Sequence, residues 1–578
     1  MSHTNVAIGG RAGALARATA EDLKGRGCTV TFLDQSRLPG DLERVNLPRL
    51  LIFPFEPVPS RRAVRRKESD LRDLHQLLDW AARAGIGRVV LRSHAIAYGS
   101  SMKNPGLLEE GRISLLPKDS LERRWIEAEQ AVFSAAGSPP ARPGPAFSAA
   151  AVRLTSILDP EEGDLITNML SSRFVVPLAG YDPQLQLLSL RDAAAFLAGA
   201  VLSDAGGIFN GAPAGTVPVR AALKAAGTFR LPVNGVLQKP VRSLFWKAGV
   251  ARYPGEAADR IKYNWTISNE RAARELDVVP QDSSTRALKQ FLAAGGWGRP
   301  ERVKESYDEF GLNPEYIARL NWWFTFMARV YWRAEVEGIE NVPESDPALL
   351  VANHRGFMPF DGVVHRTLIL AHRKRHIRFL VIPSLFKFPF LSDFLVRQGG
   401  VVASQVNTQK LFARRELVGI FPEGINGAFR MYRGAYKLGD MSRNLFARMA
   451  IENGVPIIPC ATIGHVEIFP ILAKVKSSLV VRHTGWPFLP ITPTFPLLPV
   501  PLPTKWHIRY LEPIPLSGYS PSDAGNPQAV KELAARVCSV MQRNIDEMLA
   551  RRKHIFFGKI FGPRAGDGLQ RPAGAASR

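Results

Sequence analysis

The sequence predicts an α/β protein in two parts: an N-terminal doubly wound parallel sheet and a separate C-terminal α/β domain. Near the N-terminus a short strand, Asn5-Val6-Ala7-Ile8, leads into a glycine turn, a helical stretch and a second strand ending in an acid. In the second half, the apolar run Ala348-Leu349-Leu350-Val351-Ala352 delivers Asn353 and His354, with Asp361 seven residues after the His. Further on, Leu417-Val418-Gly419-Ile420-Phe421 ends in Pro422-Glu423-Gly424, and Val455 to Ala461 follows after a helix-like stretch. Strand ends that carry polar groups in this order predict an active site at the edge of an α/β sheet.

Composition narrows the function. At 578 residues the chain has room for two to four domains. Its net charge of +23 and pI near 10.2 favour anionic partners, phosphate backbones or acidic lipid headgroups. Nucleic acid is disfavoured, because zinc-ligand spacing, an RNA-recognition signature and a clear helix-turn-helix are all missing from the sequence. Cys28, Cys460 and Cys538 are far apart and odd in number, which fits a reducing compartment without a disulfide framework. No signal peptide is expected from the first residues. No apolar stretch reaches the ~20 residues of a spanning helix. The expectation is a cytoplasmic protein peripherally associated with the inner face of the membrane.

The first elements follow the dinucleotide-binding order. The helical stretch Arg17 to Arg26 comes after the turn Gly9-Gly10-Arg11-Ala12-Gly13, and Thr29-Val30-Thr31-Phe32-Leu33 ends at Asp34. Gly10 and Gly13 would let the backbone approach a pyrophosphate at the helix N-terminus, and Asp34 would accept from a ribose hydroxyl. Further segments make residues 1–295 resemble an extended short-chain dehydrogenase or NAD-dependent epimerase. They are Arg88 to Ser93 with Tyr98-Gly99, Arg142-Pro143-Gly144-Pro145, Leu188 to Ala193, Gly207 to Gly211, and Ser268 to Leu276. The resemblance implies a Rossmann-like fold and allows NAD(P) as cofactor. It also implies a Tyr-x-x-x-Lys pair, in which Lys lowers the Tyr pKa. The corresponding segment here is Leu121-Glu122-Arg123-Arg124-Trp125, and neither Leu121 nor Trp125 can transfer that proton. The expectation is a degenerate oxidoreductase domain, with Tyr98 left open as a displaced acid.

Residues 296–314 are rich in Gly, Pro and charge and read as a linker. Tyr316 to Trp332 reads as a helix with aromatic residues around most of its circumference and Arg319, Arg329 and Arg333 among them. Rings and guanidinium groups together suit a membrane interface; packing on the domain core is the equal alternative. Trp486 to Pro503 is apolar but proline-rich, so it reads as a loop over the core or an acyl-facing surface. Val530 to Arg552 reads as an amphipathic helix, followed by a basic cluster and Phe556-Phe557. Residues 561–578 read as a disordered tail.

The C-terminal blocks carry the chemistry. His354 is the candidate general base and Asp361 the carboxylate that would fix its tautomer. The order Asn353-His354 with Asp361, then Gly399-Gly400-Val401-Val402, Phe421-Pro422-Glu423-Gly424 and Val455-Pro456-Ile457-Ile458-Pro459 resembles the glycerolipid (1-acylglycerol-3-phosphate) acyltransferase family. The resemblance spans about residues 305 to 555, with the domain itself expected over 315–560, and implies an O-acyltransferase that uses an acyl-CoA or acyl carrier protein thioester and no metal. It implies that Glu423 and Gly424 position the acceptor headgroup. Arg430, Arg433 and Lys437, just downstream, would bind phosphate; a solvated basic face is the alternative. Backbone N–H groups near Gly356 would form an oxyanion hole. Two departures stand out. Six residues separate His354 from Asp361 where the family has four, and Val401-Val402-Ala403-Ser404-Gln405 lacks the Arg of relatives with phosphate-bearing acceptors.

The expected function is transfer of a fatty acyl group to a lysophospholipid or glycerolipid hydroxyl, fused to an inactive nucleotide-binding domain. The expected partners are a membrane lipid acceptor, an anionic membrane surface and acyl carrier protein. Two rivals stand beside it: a bifunctional enzyme with an active NAD(P)-dependent half, and a non-enzymatic scaffold that binds membrane or nucleic acid.

Overall fold

The computed structural model describes residues 4–33, 48–55, 67–111 (67–70 by backbone alone), 123–137, 147–231, 233, 237–253, 257–296 (257–258 by backbone alone), 298–356, 358–439, 445–478, 486–496 and 500–562. The chain divides into two compact units, Met1–Asn313 with Leu385–Val396, and Pro314–Ser384 with Arg397–Arg578.

The first unit is built on a parallel sheet. Its strands are β1 (Asn5–Gly10), β2 (Thr29–Phe32), β3 (Arg49–Phe53), β4 (Arg88–His94), β5 (Ser148–Leu154) and β6 (Gly207–Gly211), in spatial order β6-β5-β4-β3-β1-β2. Helices α1 (Ala14–Gly25), α2 (Lys67–Arg83), α3 (Arg123–Gly137) and α4 (Leu190–Leu202) connect or cover them. This is a doubly wound, Rossmann-like sheet. The order reverses at β1, so the crevice beside the C-terminal end of β1 is the topological switch point. The central strands are buried on both faces because both faces are covered: every residue of β4 is buried, its Arg88, Arg92, Ser93 and His94 included. The α1 helix begins three residues before the stretch expected from sequence, because Gly13 serves as its N-cap. Segment 298–313 belongs to this unit, with Val303 buried in its core.

The second unit holds a seven-stranded sheet. Its strands are β7 (Glu335–Glu337), β8 (Ala348–Ala352), β9 (Ile377–Val381), β10 (Val401–Val402), β11 (Leu417–Ile420), β12 (Ile457–Ile463) and β13 (His507–Tyr510), in the order β7-β13-β12-β8-β11-β9-β10. All neighbours are parallel except β12 and β13. Wholly buried β8 lies at the centre, with β11 on one side and β12 on the other. The strand expected over Val455–Ala461 starts two residues later, after Pro456, which has no N–H for the ladder.

Helix α5 (Pro314–Phe326) runs on through one π turn, Met327–Tyr331. Its two alternatives divide by residue: Met327, Ala328 and Trp332 enter the core, whereas Trp322 is 70% exposed. The proline-rich segment forms a short strand, Leu489–Ile491, paired antiparallel with Ala473–Val475. The last helix, Pro527–Arg551, buries Val530, Leu533, Val537, Met541, Ile545 and Met548, one stripe at helical spacing. Of the tail, Phe561 donates its backbone N–H to Glu335, and 563–578 lies outside the described residues.

Candidate active site

Three neighbouring strands of the second unit, β8, β11 and β12, converge at their C-terminal ends. After β8 the chain turns at Gly356, whose φ of +84° favours glycine. It then enters α6 (Phe360–Arg373), with Asp361 in its first turn. That turn and helix start span the six intervening residues. They bring Asp361 Oδ2 to 2.5 Å from His354 Nδ1. Asp361 is buried, while the His354 side chain keeps 17% exposure. Burial alone would raise the Asp361 carboxyl, but the adjacent His354 outweighs it and holds it below its ordinary value. The imidazole lies 4.8 Å from the Phe421 ring, which stacks on Phe379 at 5.1 Å. With Nδ1 held by Asp361, Nε2 is the nitrogen available to a substrate proton.

The turn is braced from beneath. Arg355 points away from the imidazole and is 2% exposed. Its guanidinium meets Glu423 Oε2 at 2.7 Å and donates to the carbonyls of His354, Ala435 and Lys437. Glu423 also accepts from Gly439 N at 2.7 Å. Gly427, on the short helix Gly424–Ala428, packs against this pair; a Cβ there would meet His354 O at 3.1 Å and Arg355 Nη1 at 3.2 Å. On the other side, Asn353 exchanges two hydrogen bonds with Thr462 of β12, both at 2.9 Å. Beneath the pair lie two more buried rings. His365 contacts Tyr510 OH at 2.9 Å and His465 contacts Asn353 at 3.3 Å. Burial lowers His365 to about 4 and His465 to about 3, so both are neutral near pH 7.

In the first unit, the crevice at the ends of β1 and β4 is lined by closed contacts. Gly10 has φ +93°, and a Cβ there would lie 2.1 Å from Phe53 O. Gly13 faces Glu162, whose Oε1 accepts from Leu15 N at 2.8 Å. Asp34 and Leu121 lie outside the described residues. Trp125 is buried, its ring 4.9 Å from that of Phe55 and 5.9 Å from that of His94. Ser93 donates to Glu129 at 2.6 Å, and Glu129 is paired with Arg153. Tyr98 donates to Asn210 at 2.9 Å and lies under Arg153, with burial pushing its phenol up. His94 accepts from Ile96 N through Nδ1 and meets Asp164 through Nε2, both at 2.9 Å.

A family model described as Acyltransferase matches residues 333–463, the segment that carries the His354, Glu423 and β12 blocks. Uncharacterized protein Rv0502 of Mycobacterium tuberculosis is 34% identical over 301 residues, 50% of this chain and 84% of that protein. Residues 333–463 form an acyltransferase domain, and the chain belongs to one family with the Mycobacterium tuberculosis protein. A more distant relative is the "DGAT1/2-independent enzyme synthesizing storage lipids" of Bos taurus. It is 30% identical over 221 residues, 38% of this chain and 61% of that protein. Among solved structures, MoeE5 in complex with UDP-glucose and NAD is 15% identical, covering 50% of this chain and 99% of that chain at a TM-score of 0.37. The N-terminal fold is defined by its own strand order.

Within this acyltransferase the expected residues fall into three groups. His354 and Asp361 come together. Glu423 is beneath the turn, its side chain 1% exposed and paired with Arg355; Gly424, at φ +51°, starts the helix that follows. Arg433 and Lys437 are exposed, and Arg430 is half-buried with its guanidinium on the Lys437 carbonyl. Arg355, Asn353, His365 and His465 were not anticipated as parts of the site. The available signal was that Asn353 and Arg355 flank His354, where a strand end would aim alternate side chains to opposite sides.

Proposed function

We propose that the protein transfers a fatty acyl group from a thioester donor, acyl-CoA or acyl carrier protein, to a lipid hydroxyl, with His354 as general base. The observation that carries this reading is the His354–Asp361 pair: one ring nitrogen is held by a buried carboxylate and the ring keeps an exposed edge. His354 Nε2 takes the proton of the acceptor hydroxyl as its oxygen attacks the thioester carbonyl. Asp361 steadies the resulting imidazolium. The tetrahedral intermediate collapses, the C–S bond breaks, and the imidazolium returns the proton to the departing thiolate. Ester and free thiol are the products, and the enzyme ends as it began. Backbone N–H groups of the Gly356 turn would donate to the oxyanion.

The acceptor is a glycerolipid hydroxyl. A neutral acceptor such as diacylglycerol is favoured over lysophosphatidic acid on two grounds. The block after Gly400 lacks an Arg, and Glu423 is engaged by Arg355. The storage-lipid activity named for the bovine relative supports the same choice. Arg433 and Lys437 remain the groups that would meet a phosphate. No described helix is long and apolar enough to cross a membrane. The exposed Trp322, Trp323, Phe326 and Val330 of the α5 segment would rest on the lipid surface. The first unit adds no oxidoreductase chemistry, since Trp125 is packed as a core ring and Tyr98 is tied to Asn210.

Incubation of the purified protein with radiolabelled acyl-CoA and a panel of lipid alcohols tests this reading. Labelled triacylglycerol from diacylglycerol is expected, with less product from lysophosphatidic acid. No ester from any acceptor, with acyl-CoA or with acyl carrier protein thioesters, contradicts it.

A further inference from the structure

A Rossmann-like sheet ordinarily receives the pyrophosphate of a dinucleotide at the N-terminus of its first helix. There the unpaired N–H groups and the helix dipole favour an anion. In this chain an anion is already present, and the chain supplies it. Glu162, 6% exposed, comes from the segment that follows β5. Its Oε1 accepts from Leu15 N, a first-turn donor of α1, at 2.8 Å. The same oxygen would lie 2.8 Å from a Cβ at Gly13. Thus the two glycines of the dinucleotide pattern both have internal reasons. Gly10 is required by the β3 backbone, and Gly13 makes room for Glu162 rather than for a ligand.

Three arginines hold the acidic segment down. Arg17 pairs with Glu161. Arg11 donates to the Glu161 carbonyl at 3.3 Å. Arg92, on β4, is 2% exposed, its three guanidinium nitrogens have no hydrogen-bond partner among the described residues, and Glu162 and Asp164 are the anions in its field. A buried guanidinium without a counter-charge is costly. Removing Glu162 would therefore leave the helix N-terminus without its anion and would take from Arg92 one of the two anions in its field, Asp164 remaining.

We infer that Glu162 is a built-in substitute for the dinucleotide phosphate, and that it closes the cofactor seat of the N-terminal unit. The unit in its resting form takes no NAD(P) there, and loss of the carboxylate opens the seat to a phosphate-bearing ligand. This inference is independent of the acyl-transfer reading.

The test uses the full chain and two readouts. NADH and NADPH are titrated into the parent and Glu162→Ala, following nicotinamide fluorescence. The parent shows no saturable binding, and the variant gains at least ~10-fold in affinity. Saturable binding by the parent overturns the inference, as does a variant that binds no better. The second readout needs no ligand. Gly13→Ala lowers the denaturation midpoint of the parent, because its Cβ meets the carboxylate, and has no effect in the Glu162→Ala background. An equal loss in both backgrounds overturns the inference. Where Glu162→Ala does not fold, Glu162→Gln keeps the acceptor for Leu15 N, removes the charge, and is expected to gain binding in the same titration.

Discussion

Each half of the molecule sets a histidine at the end of a parallel strand and a carboxylate against it, yet the two pairs differ in what is left over. His94 ends β4 and meets Asp164 at 2.9 Å, while its other nitrogen accepts from Ile96 N. Its side chain is 4% exposed, so both nitrogens are used and sealed. His354 follows β8 and meets Asp361 at 2.5 Å with 17% of its side chain exposed. The first pair caps a turn and tethers a segment of the fold. The second has the geometry of a base. A His–Asp contact alone therefore says little about catalysis; the nitrogen that remains available decides.

The largest difference should appear when the carboxylates are exchanged for amides. Asp361→Asn is expected to lower acyl transfer per folded molecule roughly 10²–10⁴-fold. Asp164→Asn is expected to leave transfer per folded molecule unchanged and to reduce stability by ~1–3 kcal/mol. Transfer rates and denaturant titrations on both variants check this. Equal effects of the two substitutions on rate would erase the distinction between the pairs.

The bracing under His354 comes next. Removing one member of the buried Arg355–Glu423 pair leaves an uncompensated charge, at a cost of ~3–5 kcal/mol. Glu423→Gln is thus expected to unfold at markedly lower denaturant and to lower kcat. If instead the stability is unchanged and only the KM for the acceptor rises, Glu423 touches substrate and does not brace the turn.

The pH response sharpens the comparison further. The folded values of His365 and His465 are depressed by burial, to about 4 and about 3. Below pH ~6.5 the unfolded chain takes up protons that the folded chain refuses. Their contribution is therefore fully present above that pH and declines as pH falls, by up to ~1.4 kcal/mol per unit for each ring, until the folded values are reached. Chemical denaturation at pH 7 and pH 5 should show the loss, and His365→Gln should flatten it; parallel profiles would remove His365 from the account. The smallest expected effect is at the surface. Trp322→Ser with Trp323→Ser should weaken cosedimentation with anionic vesicles severalfold and leave stability unchanged, and unaltered binding would move the membrane contact elsewhere.

Much of this was legible along the chain. Buried parallel strands read as apolar runs, so β1, β8 and β11 could be placed before the structure, and the polar residues at the ends of β8 and β11 marked the edge that matters. The His354–Asp361 spacing was the doubtful point, and a glycine at φ +84° followed by a helix start resolves it. What the sequence concealed is pairing over distance. Arg355 stands next to His354, but its partner Glu423 is 68 residues away. Glu423 therefore read as a headgroup contact, and its pairing with Arg355 emerged only in the structure. Likewise Gly13 read as a nucleotide glycine because its neighbour in space, Glu162, lies far along the chain, on a segment that no periodicity assigns to the turn.

The most direct measurement of the central claim is acyl transfer to diacylglycerol by His354→Ala and His94→Ala, assayed side by side at equal folded concentration. The account predicts that His354→Ala abolishes transfer and that His94→Ala retains the parental rate per folded molecule. Transfer that survives in His354→Ala would contradict it.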